Sequence, residues 1–100
     1  MSTRLLEGHQ HLPIRYHLPR RHAALEVVVE ASAPVYALFV DREGRDAFAR
    51  GEPFPNYGAR GHQATHHFTA HVPARGYYWL LIVNWEADTI AVHYRTVAIA

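Results

Sequence analysis

The hundred-residue chain contains no cysteine, no lysine, one methionine and two serines. Without cysteine, disulfides, thiolate zinc sites and cysteine nucleophiles are excluded, which fits a reducing compartment and sets a cytoplasmic location as the expectation. Without lysine there is no Schiff-base chemistry, and all ten basic residues are arginines suited to bidentate contacts with oxyanions. Ser2 stands at the start of the chain and Ser32 in an Ala-Ser-Ala-Pro stretch; neither has a nucleophile-elbow context, so no serine triad, and no enzyme, is expected. No run approaches the roughly 18 apolar residues needed to span a bilayer, and the start lacks an apolar signal-type core, so no membrane partner is expected. With a formal charge of +1, the small mixed cluster Arg15, Tyr16, Arg20 and Arg21 does not make a nucleic-acid surface.

What is present is an ordinary globular composition, 49% hydrophobic and 19% charged, in a length suited to one domain. Short apolar runs alternate with breakers. His9 to Leu18, interrupted by Pro13, reads as an edge strand. Leu25 to Glu30 has Leu25, Val27 and Val29 on one face. The segment ASAP then reads as a turn before Val35 to Val40, which is apolar on both faces. Asp41 to Gly61 reads as a long connection with one short helical turn near Arg45 to Arg50. Three further strands are expected at Ala64 to Val72, Tyr77 to Asn84 and Thr89 to Ile99. No longer stretch carries a helical period. The expected fold is therefore all-β, a single antiparallel β-sandwich of jelly-roll type with six to eight strands.

Three features carry a family resemblance over Val35 to Ile99. They are an apolar strand ending in Asp41, FARGEPFPNYG (Phe48 to Gly58), and PARGYYWLLIVN (Pro73 to Asn84) followed by a final Val/Tyr strand. In these the chain resembles a small bacterial β-sandwich family of unknown function, sometimes fused to TIR domains. It is also similar in layout to pre-peptidase C-terminal jelly-roll domains. The resemblance implies that Asp41 and Asn84 sit at turns ending core strands and that Tyr77, Tyr78 and Trp79 supply core bulk. It brings no catalytic residues with it.

Nine histidines raise the question of a metal. In THHFTAHV, residues 65–72, His67 and His71 would grip an ion if helical, but Thr65, Phe68, Thr69 and Val72 favour a strand, where the pair is about 13 Å apart. His66 then faces the core with Phe68, Ala70 and Val72, while His67 and His71 face water. Better spaced are His9 and His11, about 6.6 Å apart on one strand face, with a third ligand to come from a neighbouring strand, such as His93, His17 or His67; this is the alternative, metal-binding reading. Protonation of the histidines in mild acid would add charge that opposes the fold. The acidic run DREGRD invites calcium but lacks the alternating ligands of a calcium loop, and internal ion pairs or a capped helical turn explain it better.

Aromatic residues exceed what one inward face can hold. Tyr77, Trp79, Trp85 and Tyr94, with Tyr36 nearby and Phe54 and Tyr57 from the long connection, form the candidate binding surface. Phe54, Pro55 and Tyr57 also suit a lid over the second sheet face. The expected function is a non-catalytic interaction or ligand-binding module without a cofactor. It would bind a protein partner or itself through the aromatics or through strand edges at Gly8 to Leu18 and Thr89 to Ile99. A carbohydrate- or calcium-binding module is a further alternative; the small ligand, if there is one, is not specified by the residues.

Overall fold

The computed structural model describes residues 2–54 and 57–99, and of residues 58–60 the backbone only. In chain order the elements are β1 (Ser2–Leu6), β2 (His11–Leu18), β3 (Ala24–Asp41), α1 (Arg42–Arg50), β4 (Gly58–His71), β5 (Gly76–Val83) and β6 (Ile90–Ile99). All strand pairs are antiparallel. Pro13 lies on β2, which among the described residues pairs only with β5, so its missing N–H interrupts no second ladder.

The two strands expected at 25–30 and 35–40 are one. β3 runs through the ASAP segment for 18 residues, and no turn occurs there. The reason is visible in the odd positions: Leu25, Val27, Val29, Ala31, Ala33, Val35, Ala37 and Phe39 all pack into or against the core. A turn would have broken that alternation. The small alanines let the strand bend, and Pro34 falls where the register to β4 jumps from Glu30 to Val35, a gap in the ladder that tolerates it. β4 likewise extends back to Gly58, into the segment expected to be loop.

Because both long strands bend, each serves two half-sheets. The first half of β3 pairs with β6, and the second half with β5. β4 follows β3 on its other edge throughout. One half therefore reads β1-β6-β3-β4 and the other β2-β5-β3-β4, a single sheet curled over a common core. With the halves of β3 and β4 counted separately, this is the strand order of a jelly roll.

The main core lies inside the curl and includes Val29, Phe39, Phe68, Leu80, Ile82 and Val92. α1 covers the outer face of the second half, over a smaller cluster of Val40, Trp79 and Leu81. Asp41 caps the helix by accepting the Gly44 N–H at 2.8 Å, and Gly51, at φ 70°, ends it. Nine residues are helical where the sequence suggested one turn. The caps explain the difference, as does the close seat of Gly44, where a Cβ would lie 2.8 Å from Val40 Cβ. No helix among the described residues is long and apolar enough to cross a membrane.

Candidate functional site

The bend of β3 defines one end of the molecule, where the turns after β1 and β5 also lie. Asn84, fully buried at the end of β5, ties these turns together. Its side-chain amide donates to the carbonyls of Leu6, Glu7 and Asp88 at 3.1, 3.1 and 2.8 Å, and its Oδ1 accepts the Glu86 N–H at 3.0 Å. Its own N–H donates to Gln10. The tight turn from Asn84 to Glu86 pushes Trp85 outward, 65% exposed.

Beside Trp85 lies an open groove of about 360 Å³ lined by Tyr36, Leu38, Phe48, Phe54, Val83 and Trp85. Tyr36, Leu38 and Val83 come from the outward face of β3 and β5, as their pairing register requires. Phe48 from α1 and Phe54 just beyond it meet edge to face, ring centroids 6.2 Å apart, and form one wall. Trp85 stands edge-on to Tyr36 at 6.3 Å. Two histidines flank the groove: His62 stacks on Tyr36 at 4.8 Å, and His11 meets Phe48 edge to face at 5.1 Å. His62 Nε2 lies 3.6 Å from Glu86 Oε1.

The six residues expected to share one binding surface are thus divided. Trp85 and Phe54 line the groove. Trp79 is buried beneath α1, with the Arg45 guanidinium 4.4 Å above its ring. Tyr77, 46% exposed rather than core bulk, lies toward the far end of β5 against His17 and Arg15. Tyr94 packs at the core side of β6. Tyr57 turns toward the main core, 5.6 Å from Tyr78, and donates to Asp41 Oδ2 at 3.2 Å. The lid over the second face is consequently Phe54 with Phe48 and not Tyr57; Pro55 lies outside the described residues. Phe48 and His62 were not singled out in the sequence. An apolar Ala47-Phe48 pair amid the charges of α1 was the available signal for the first, and His62 had none.

Burial pushes the hydroxyls of Tyr16, Tyr57 and Tyr78 above their ordinary pKa of 10.0, and the Asp41 carboxylate adds to the effect at Tyr57 and Tyr78.

The histidines do not gather. His11 rests on Phe48, His93 Nδ1 lies 2.8 Å from Thr3 Oγ1, and His9 sits in the turn after β1. Among the described residues no group of three or more ligating side chains is placed to hold a metal ion. His66 is fully buried as its strand parity requires; its Nε2–H donates to the Val35 carbonyl at 2.8 Å across the β3 bend, leaving Nδ1 without a partner among the described residues. His67 and His71 face outward, and His67 meets Glu26 at 3.2 Å. DREGRD is the start of α1, with Asp41 as cap and Asp46 paired to Arg45 at 3.0 Å.

No protein family and no curated protein matches the chain.

Proposed function

We propose that the chain is a non-catalytic binding module that takes an apolar side chain of a protein partner, or of a second copy, into the groove beside Trp85. The exposure of Trp85 over an aromatic-lined floor is the observation that carries the reading, since a large apolar ring held out in water by a buried asparagine costs solvation unless something covers it. The groove's volume falls within the range of about 300–1,000 Å³ usual for ligand sites. A protein partner is favoured over a sugar because, among the described residues, the lining is apolar apart from the Tyr36 hydroxyl and the Trp85 indole N–H, with His11 and His62 at its flanks, whereas a sugar ring needs a fuller fringe of hydrogen bonds for its hydroxyls. Ser32 supports the non-catalytic assignment: its hydroxyl accepts the Ala91 N–H in the sheet. The lack of cysteine fits a cytoplasmic setting.

Ligand-observed NMR with p-cresol, as a mimic of a tyrosine side chain, and with methyl β-glucoside tests the reading. Binding of p-cresol that is lost in Trp85→Ala supports it. Binding of the glucoside alone, or p-cresol binding that survives in Trp85→Ala, overturns it.

A further inference from the structure

At the opposite end of the molecule the curl of the sheet is open. Among the described residues β1 pairs with residues 90–94 of β6, and none pairs with the outer edge of residues 95–99. β2 is the edge of the other half, and the two edges face each other without pairing. Along this seam lie two cavities. One, of about 380 Å³, includes Ile14, Tyr16 and Thr96. The other, of about 470 Å³, is walled by Leu18, Ala98 and Ile99 and rimmed by Arg20, Arg21 and His22. Tyr16 and Thr96 lie on opposite sides of the seam and both line the first cavity.

The charge at the second mouth is unbalanced among the described residues. Among the described residues Arg20 and Arg21 have no hydrogen bond, ion pair or ring contact. The lining holds no carboxylate among the described residues, and the residue beyond Arg21, His22, also borders a neighbouring cavity with His71. His22 adopts φ 56°, so the turn that presents the arginines is held in a left-handed conformation at a non-glycine residue. Two unpaired guanidiniums at the rim of an apolar cleft fit a head group that accepts forked hydrogen bonds and a tail that needs no polar partner.

We infer that this cleft binds a small amphiphilic anion, an oxyanion head seated on Arg20 and Arg21 and a short aliphatic tail lying against Leu18, Ala98 and Ile99. Tyr16 and Thr96 line the separate inner cavity, so the tail occupies the outer part of the seam. This site is independent of the groove beside Trp85.

Titration of the chain with octanoate, octanol and acetate, followed by backbone amide shifts, is the test. Octanoate is expected to bind at least about tenfold more tightly than either the uncharged or the tailless probe, to shift amides of residues 18–24 and 98–99, and to lose about tenfold in an Arg20→Ala/Arg21→Ala variant. Both arginines are exposed on a turn, so the variant retains the fold, and an amide spectrum matching the parent away from that turn verifies it. Octanol or acetate binding as tightly as octanoate would overturn the inference. So would unchanged octanoate binding in the variant, or shifts confined to the Trp85 groove.

Discussion

Replacing Asn84 by alanine tests how the fold presents the groove. The substitution removes the two amide hydrogens shared by the Leu6, Glu7 and Asp88 carbonyls and the acceptor for the Glu86 N–H. Of these contacts only the one to Leu6 is wholly buried, so its carbonyl bears a full desolvation penalty, about 1–3 kcal/mol. The other three are partly buried, where water can enter, and lose about 0.5 kcal/mol each. The sum is a destabilisation of about 2.5–4.5 kcal/mol, a large share of a small domain's stability. For a chain of this size that corresponds to a fall in Tm of about 10–25 °C. Asn84→Asp sharpens the argument. It keeps an acceptor for Glu86 N–H but sets a carboxylate oxygen against three carbonyl oxygens, so it is expected to melt lower than Asn84→Ala although it is nearer in shape. Thermal melts at pH 7.5 decide the matter. An Asn84→Ala protein melting within about 2 °C of the parent, or an Asn84→Asp protein more stable than the alanine variant, would refute this account of the turn cluster.

Gly8→Ala is expected to be among the most damaging single-methyl additions, because its Cβ would lie 2.0 Å from the backbone oxygen of Ala87 and neither turn can yield without disturbing Asn84; urea unfolding should show a clear loss of midpoint. Asp41→Ala should cost about 1–2 kcal/mol in the same assay, from the lost cap on Gly44 and the lost acceptor for Tyr57. Stability should hold up to about pH 10 and fall above it. The folded state keeps the protons of Tyr16, Tyr57 and Tyr78 where the unfolded chain releases them, so raising the pH favours unfolding. Tyr16→Phe should make that decline shallower, and melts from pH 8.5 to 11 with identical slopes for variant and parent would contradict it. Trp85→Phe should remove the solvent-quenchable tryptophan fluorescence, leaving the emission of buried Trp79; iodide quenching that persists in the variant would refute the assigned exposures.

The alternation that defines a strand face was legible throughout. It placed Leu25, Val27 and Val29 inward, assigned His66 to the core, and left His67 and His71 outside. It also held the clue to the unbroken β3, since the apolar odd positions continue through Ala31 and Ala33, but Ser32 and Pro34 read locally as a turn. Local turn chemistry lost there because both faces of the alternation were already committed by packing on either side of the bend. α1 was underestimated for a related reason. Its apolar stripe is short, Gly44, Ala47 and Phe48 among charges, and its length depends on Asp41 and Gly51 at its ends and on Val40, Trp79 and Leu81 beneath it.

By itself the sequence determined the all-β class, the absence of cysteine and lysine chemistry, and which side of each strand a residue occupies, because strand parity is a local property fixed by the pleat. Which residues meet was decided only by the tertiary structure. Tyr36, Phe48 and Trp85 are distant in sequence and meet because β3 bends, α1 lies over one half-sheet and Asn84 pins the turn that carries Trp85. The same curl leaves His9, His11 and His93 without a common ion and sets Arg20 and Arg21 at the mouth of an apolar seam. Such meetings depend on long-range register and on the bend of two strands, and neither is encoded in the spacing along any one of them.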